Sequence, residues 1–318
     1  MKLQSVWNRR VASLLLAASL GAIAACAEST PEAATPEAVT PEAEPAAVTA
    51  SEPTAEADSA AATESEPIET AKSVVTLTSL TADLIHTLDA EKLVAIPGSS
   101  LLREDDRFAG LEAVSEGRAE PNLEQIVALE PDLVVGATGF HDKALEKLEE
   151  LGVATLSVDV SDWDSLRSIA TDLAQRLGAD PQPLLDRFDA CLAKAPETNP
   201  SALVLVSRQP LLSPNQDSWA GDFLAQFNVT NVTAELQGES PFDGYVTLSE
   251  EKVLTSNPEA LLVVETGEGL LDQLKGDAFW GELEATKTEA VYTFDYHGLV
   301  NPGSVASIEA VCDRLSQL

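Results

Sequence analysis

The sequence predicts an α/β fold of two similar lobes joined by a single helix. Short apolar runs typical of buried strands alternate with amphipathic helical patterns throughout residues 73–318. These runs form two sets, with a helical stretch between them, and one segment of each set repeats the same pattern 127 residues apart. The expected strands are 74–77, 93–96, 133–137 and 154–159 in the first set, and 202–207, 261–265 and 291–294 in the second.

Residues 1–26 have the pattern of an export signal. A basic start precedes an apolar run over 11–22, and small residues at 23–25 lead into Cys26. The apolar run is too short for a membrane-spanning helix. Small residues directly before a cysteine resemble the lipobox of bacterial lipoproteins, which implies cleavage before Cys26 and a lipid on its sulfur. A plain cleavable signal with an incidental cysteine is the alternative.

Residues 27–72 have the composition of a disordered tether. They consist mainly of Pro, Glu, Ala, Thr and Ser, and they contain no aromatic residue that would help to form a core. The tether holds eleven of the 53 acidic residues of the chain. Mutual repulsion of these charges and the prolines favour an extended segment between lipid and domain.

The remainder divides into an N-terminal lobe over 73–180, a joining helix over 181–196 and a C-terminal lobe over 197–318. Residues 73–318 carry a net charge of about −27, which excludes a basic nucleic-acid-binding surface. Cys191 and Cys312 are the cysteines of this part. Export permits a disulfide between them, but their spacing does not distinguish a disulfide from two free thiols.

The repeated pattern places one glutamate near the start of a helix in each lobe. Glu124 and Glu251 each begin a short amphipathic run, a proline then ends the run, and an unbroken apolar strand follows. Asn122 and Ser249 lie two residues before these glutamates, where a side-chain oxygen caps the first turn. A glutamate there complements the helix dipole, but that role does not explain a matched acid in both lobes. A partner that contacts both lobes would explain it.

Ligands of open α/β sheets bind beyond the carboxyl ends of the strands, so the binding loops are expected there. In the N-terminal lobe these loops are 78–80, 97–107, 138–141 and 160–163. In the C-terminal lobe they are 208–219, 266–268 and 295–297, and the loop 241–245 is placed with them.

Three segments resemble the substrate-binding lipoproteins of ABC importers for iron siderophores and cobalamin. They are VVTLTSLTADLI at 74–85, PNLEQIVALEPDLVV at 121–135 and SEEKVL at 249–254. The resemblance covers 73–318 and implies the class III periplasmic binding protein fold, in which one rigid helix joins two Rossmann-like lobes. It also implies that one acid of each lobe docks onto arginines of the permease. Glu124 and Glu251 match those acids, with Glu250 as an alternative to Glu251.

The resemblance has two departures. The joining helix ends by 196–200 and is shorter than the family pattern leads one to expect, and the ligand loops match no one substrate subgroup. The expected protein is therefore a monomeric, lipid-anchored receptor facing the periplasm, which passes a small ligand to its permease. Loop composition fits a ferric siderophore first, then cobalamin, then haem.

Candidate ligand residues fall into three chemical types. Arg103, Arg107 and Arg208 are suited to the carboxylate or catecholate oxygens of an iron chelate, with Arg208 the first choice and surface salt bridges the alternative. The aromatic candidates for a flat apolar wall are Phe140, Trp163, Trp219, Tyr245 and Tyr296. Lobe packing is the alternative for the tryptophans and the tyrosines, most of all for Trp163.

Histidines form the third type. His141 and His297 follow strands in opposite lobes and are placed to meet across the cleft between the lobes, with Tyr296 beside them, as axial ligands of a haem. His86 lies within a helical pattern and is interpreted as structural. A bare metal site needs several converging His and carboxylate residues and is not expected, and no resident cofactor is expected either.

No common catalytic motif of a nucleotide-binding, hydrolytic or metalloprotease type occurs, so we expect no enzyme activity. An exported hydrolase built from scattered residues and an adhesion or assembly module on the tether remain the alternatives of another class.

Overall fold

The computed structural model describes residues 70–318 except 118, 239, 241, 267 and 268. The predicted signal, Cys26 and nearly all of the predicted tether lie outside the described residues. The strands are β1 (Val74–Thr76), β2 (Leu93–Ile96), β3 (Glu112–Ala113), β4 (Leu133–Ala137), β5 (Thr155–Val158), β6 (Ser201–Leu205), β7 (Ser207–Arg208), β8 (Leu211–Pro214), β9 (Thr230–Asn231), β10 (Tyr245–Leu248), β11 (Ala260–Glu265) and β12 (Val291–Asp295).

The helices alternate with these strands. They are α1 (Ser79–Asp89), α2 (Ser100–Arg103), α3 (Leu123–Ala128), α4 (Asp142–Glu150), α5 (Trp163–Leu177), α6 (Gln182–Leu192), α7 (Trp219–Gln226), α8 (Glu250–Ser256), α9 (Leu270–Leu274), α10 (Glu284–Lys287), α11 (Tyr296–Leu299) and α12 (Val305–Leu315). Within 70–318, no helix that the structure describes combines the length and the apolar character needed to cross a membrane.

Each lobe is built on a parallel sheet, as the sequence predicts. The N-terminal sheet has the order β3-β2-β1-β4-β5, and the C-terminal sheet has the order β12-β11-β6-β9. In each lobe the first strand pairs with the strand that follows the repeated segment, so Val74 lies opposite Leu133 and Ala202 lies opposite Ala260. The repeat in the sequence is thus a repeat of topology.

A small antiparallel sheet in the C-terminal lobe is not predicted from the sequence. Its order is β10-β8-β7, and the turn at Gln209 and Pro210 joins β7 to β8. Strand β10 reaches β8 from about 30 residues further along the chain. Local periodicity does not reveal such a pairing because its strands are short and distant in sequence.

Helix α6 connects the two sheets in the chain, and α12 lies against it. Arg187 of α6 forms a two-bond ion pair with Glu309 of α12, with N–O distances of 2.8 Å. Cys191 and Cys312 form a disulfide between the same helices, with Cα atoms 5.5 Å apart. The last helix of the chain is therefore fastened along the joining helix.

One apolar core crosses from lobe to lobe. It includes residues of β1, α1, α5, α6, α7, β6, β11 and α12, and its largest fully buried side chains include Trp163, Phe188 and Phe223. Separate cores fill the other face of each sheet, around Val134 in the N-terminal lobe and Val263 in the C-terminal lobe. The shared core makes the lobe contact part of the fold.

The proline of each repeated segment is followed by an acid that holds the start of the first strand. Asp132 accepts hydrogen bonds from the amides of Lys72 (2.7 Å) and Ser73 (3.0 Å). Glu259 accepts from the amide and the hydroxyl of Ser201, at 2.7 and 2.9 Å. In return the two serine hydroxyls accept the amide hydrogens of Asp132 and Glu259. The repeat therefore includes the same polar tie in both lobes.

These ties predict a loss of stability in acid. Hydrogen bonds from the Lys72 and Ser73 amides hold the pKa of Asp132 below its usual range, and those from Ser201 do the same to the pKa of Glu259. A lowered pKa in the fold means that the stabilisation is present at neutral pH and disappears as the pH falls through the folded value. We expect the double variant Asp132→Asn, Glu259→Gln to lose less stability between pH 6 and about pH 3 than the unmodified chain, measured by urea unfolding. An identical pH dependence in both proteins would contradict this.

Candidate functional site

The predicted ligand loops lie at the carboxyl edges of the two parallel sheets. Loop 138–141 follows β4, and loop 97–107 follows β2 in the N-terminal lobe. Tyr296 and His297 follow β12 in the C-terminal lobe, and Tyr245, the first residue of β10, lies near Tyr296. The loops after β2, β4 and β12 therefore lie at the sheet edges where ligands of open α/β sheets bind.

The two predicted tryptophans are buried in the contact between the lobes. Trp163 is 2% exposed and Trp219 is 5% exposed, and their rings stack with centroids 5.9 Å apart. Both rings also contact Phe223, and the Trp219 indole nitrogen donates to the carbonyl of Gly298 at 3.1 Å. In this arrangement they join the lobes and present no open face to a ligand.

An aromatic wall remains at the carboxyl edge of the C-terminal lobe, formed by Phe242, Tyr245 and Tyr296. Phe242 is 60% exposed and meets Tyr245 edge-on, with ring centroids 6.3 Å apart. Burial raises the pKa of Tyr245 to about 12, with a smaller contribution from neighbouring Tyr296. The tyrosines were predicted, whereas Phe242 is not among the predicted residues although its loop is. An apolar residue in a polar, Gly-containing loop is the signal that would identify it.

The N-terminal lobe contributes Phe140 and His141 after β4. Phe140 is 90% exposed and has no buried role. His141 Nδ1 accepts the amide hydrogen of Ala137 at 3.0 Å, and burial lowers its pKa. Because Nδ1 accepts this hydrogen bond, the geometry corresponds to the neutral tautomer with its hydrogen on Nε2.

Two of the three predicted arginines are paired with carboxylates. Arg208 donates to both carboxylate oxygens of Asp277 with its Nε, at 3.0 and 2.9 Å. Arg107 donates to Asp105 from Nε and Nη2, and Nη2 also lies 2.8 Å from Asp83. The acids raise the pKa of both arginines, with the side-chain hydrogen bonds as the largest cause.

Arg103 differs from the other two. It lies in the last turn of α2, it is exposed, and it forms no ion pair with any other residue that the structure describes. Its guanidinium thus keeps its full charge and its donors for a ligand.

The lobes meet beneath these loops at Gly303. A Cβ at this position would lie 2.8 Å from Leu101 Cδ2 of the N-terminal lobe and 3.0 Å from His297 Cβ. The glycine therefore permits a contact that a larger residue would prevent. His297 Nδ1 is buried there without a partner among the described residues. The structure gives no contact between His297 and His141, so the predicted pairing across the cleft stays a prediction.

The repeated glutamates occupy equivalent helix positions. Glu124 is the second residue of α3 and Glu251 the second of α8, after the caps Asn122 and Ser249, whose side chains accept amide hydrogens at 3.1 Å. This register matches Glu251 rather than Glu250 to Glu124. Each helix ends near the amino end of the strand that follows it, so its first turn lies at the carboxyl edge of the sheet. Glu124 and Glu251 therefore lie at the carboxyl edges of the two sheets, and both are exposed. Neither forms an ion pair with another described residue.

The described part of the chain contains no cluster of side chains suited to ligating a metal ion. Within residues 70–318 as described, no group of three or more His, Cys, Asp or Glu side chains converges to hold a metal ion.

A family model described as "Periplasmic binding protein" matches residues 74–296. The chain belongs to the periplasmic binding protein family. Among its curated relatives is the vitamin B12-binding protein of Salmonella typhimurium, 28% identical over 209 residues, which covers 62% of this chain and 74% of the relative. The Fe(3+) dicitrate-binding periplasmic protein of Escherichia coli is 25% identical over 186 residues, covering 56% of this chain and 60% of that protein.

Solved structures agree on the fold. The periplasmic haem-binding protein HutB of Vibrio cholerae has a TM-score of 0.62 at 21% identity, covering 77% of this chain and 97% of the other. Members of the family are non-enzymatic transport components that bind small ligands and work with a permease, and membership implies export to the periplasm. The family match and the solved structures confirm the predicted class III fold and family.

The burial of Trp163 predicts that this ring stabilises the contact between the lobes. We expect Trp163→Ala to lower the free energy of unfolding by about 3–5 kcal/mol, because it leaves a cavity in the interlobe core. Chemical denaturation measures this. Phe140→Ala, at a 90% exposed position, is the control and should leave stability unchanged. If Trp163→Ala lowered the free energy of unfolding no more than Phe140→Ala does, the lobe contact would not depend on the Trp163 ring.

Proposed function

We propose that this periplasmic binding protein is the receptor of an ABC importer and binds a cobalamin-type corrinoid between its lobes. The aromatic wall of Phe242, Tyr245 and Tyr296 is the observation that carries the proposal. A corrinoid is a large macrocycle whose ring and nucleotide base present apolar surface. Phe242 is exposed and the two tyrosines are half-buried beside it, and aromatic side chains bind such surfaces through area and stacking. Phe140 offers a further aromatic face on the other lobe.

The state of the arginines supports the same ligand. Arg107 and Arg208 are already neutralised by carboxylates, and the Asp83, Asp105 and Arg107 group has a net charge of −1. Such a site repels a multiply charged anion. The remaining guanidinium N–H donors suit neutral acceptors, and the peripheral amides of a corrinoid are acceptors of that kind. The name of the Salmonella relative, a vitamin B12-binding protein, points in this direction too.

A ferric siderophore is the second candidate, and Arg103 favours it. An exposed guanidinium without an ion pair among the described residues binds carboxylate or catecholate oxygens well. The Escherichia coli relative is named for ferric dicitrate. The loop composition ranks a ferric siderophore first. Arg107 and Arg208 are paired with aspartates, however, and are less suited to an anionic chelate, so we rank the siderophore below cobalamin.

Direct titration distinguishes the ligands. We expect cyanocobalamin to quench the tryptophan fluorescence of the purified chain saturably at submicromolar concentration, and ferric citrate, a ferric hydroxamate, a ferric catecholate and haemin to bind more weakly. Phe242→Ala and Phe140→Ala should each weaken cyanocobalamin binding roughly twofold to tenfold.

Leu151→Ala is the matched control, since Leu151 is a 62% exposed apolar residue at the far end of α4. Tighter binding of a ferric chelate than of cyanocobalamin would replace the corrinoid by the second candidate. Equal effects of the Phe242 and Leu151 variants would remove the aromatic wall from the site.

Delivery to the permease is proposed to use Glu124 and Glu251. We expect Glu124→Gln with Glu251→Gln to abolish uptake of radiolabelled cyanocobalamin by cells that carry the importer, with unchanged affinity of the purified chain for the ligand. The control replaces Glu146 and Glu284, exposed acids of the two lobes, and should leave uptake intact. A matched loss of ligand affinity would assign the glutamates to the binding site instead. The lipid on Cys26 stays a proposal, tested by mass spectrometry of the mature protein.

A further inference from the structure

Two aspartates cross between the lobes and bind helix amides on the other side. Asp83, in α1 of the N-terminal lobe, accepts the amide hydrogen of Val305 at 2.6 Å. Asp222, in α7 of the C-terminal lobe, accepts the amide hydrogen of Trp163 at 2.8 Å. Val305 is the first residue of α12 and Trp163 the first of α5. The first helix of each lobe thus contacts the last helix of the other.

The local capping of α5 and α12 leaves these amides for the other lobe. Asp162 and Ser304 cap their own helices, and each receives the amide hydrogen of the residue three positions on. The first amide of a helix has no acceptor within the helix. A carboxylate placed there satisfies this donor and interacts favourably with the helix dipole. Both crossing contacts are therefore complementary in hydrogen bonding and in charge.

Because Asp83 is buried, its carboxylate is restricted to a narrow range of positions. The Asp83 side chain is 1% exposed, and its second oxygen lies 2.8 Å from Arg107 Nη2 in the ligand loop 97–107. Oδ1 accepts no hydrogen bond among the described residues, so its contact with Arg107 is an ion pair only. A buried carboxylate that loses a partner is left with an uncompensated charge, so the fold strongly favours the arrangement that keeps both the Val305 hydrogen bond and the Arg107 ion pair. The apolar contact of Trp163 with Trp219 lacks this directionality, because dispersion and burial tolerate sliding.

We propose that Asp83 and Asp222 form a reciprocal clamp that fixes the angle between the lobes and hence the distance between Glu124 and Glu251. The docking part of this inference rests on the proposed function, because it assigns those glutamates to the permease. One docking acid belongs to each lobe, so any change of lobe angle changes their separation. A fixed separation reduces the ordering that docking requires. Asp83 and Asp222 act as positioning residues.

Electron paramagnetic resonance distances test the clamp without ligand or permease. The full chain carries Cys26→Ser and spin labels at Glu146→Cys in α4 and Glu284→Cys in α10, with the disulfide left intact. We expect Asp222→Ala to broaden the interlobe distance distribution, and Asp83→Ala with Asp222→Ala to make it roughly twofold broader. Asp83→Asn keeps an acceptor for Val305 and should have a smaller effect.

The controls are Asp89→Ala and Asp272→Ala, since these acids pair with Lys92 and Lys275 within their own lobes. Both should leave the distribution unchanged. A folded double variant whose distribution equals that of the unmodified chain would overturn the clamp. If the double variant fails to fold, Asp222→Ala alone tests the clamp, because Asp222 is more exposed than Asp83. A distance distribution equal to that of the unmodified chain would then overturn the clamp.

Uptake separates the docking part from the ligand assignment. In the unlabelled chain, Asp222→Ala should reduce uptake of cyanocobalamin at saturating ligand, while the affinity of the purified variant changes less than about twofold. A broadened distribution with full uptake would overturn the link between lobe angle and docking. Failure of cyanocobalamin to bind the unmodified chain would instead refute the proposed ligand and leave the distance measurement as the test of the clamp.

Discussion

The contact between α5 and α7 is the constraint on which the rest of the molecule depends. Trp163, Trp219 and Phe223 form one buried aromatic cluster there, continuous with the core that extends through α6 to α12. Burial of this much aromatic surface stabilises the lobes against each other as well as each lobe by itself. The short joining helix is therefore supplemented by a core, by a disulfide and by the ion pair of Arg187 with Glu309.

A strongly acidic domain determines how its arginines can be used. The chain has 53 acidic and 19 basic residues, so a guanidinium near the cleft readily finds a carboxylate neighbour. Arg208 and Arg107 show the result, since both donate to aspartates within the same lobe. The positive charge of each guanidinium is thus compensated by an aspartate of the same lobe, while some of its N–H donors remain unpaired among the described residues. This pairing supports the proposal of a ligand with neutral acceptors and apolar surface over that of an anion.

The sequence predicts those features whose signals are local. The parallel strands follow from unbroken apolar runs, and the equivalence of Glu124 and Glu251 follows from a repeated cap, helix and proline. The partners of the candidate ligand residues do not follow, because they are distant in sequence. Asp277 lies 69 residues from Arg208, and Asp222 lies 59 residues from Trp163. No periodicity in a single sequence distinguishes an aromatic ring that packs the lobes from one that stays exposed. Trp163 is therefore predicted as a ligand residue although it is buried between the lobes, and the exposed Phe242 is not among the predicted residues.

The repeated segment gives the two proposed docking acids equivalent places in the two lobes. Its amino end exposes a glutamate in the first turn of a helix, where the cap and the dipole favour a negative charge. Its carboxyl end holds the first strand of the lobe through the ties of Asp132 to Ser73 and of Glu259 to Ser201. Helix and central strand are rigid between those ends, so each glutamate is fixed relative to its own sheet. The separation of the two acids then depends on the angle between the lobes, which is the quantity that the proposed clamp of Asp83 and Asp222 fixes.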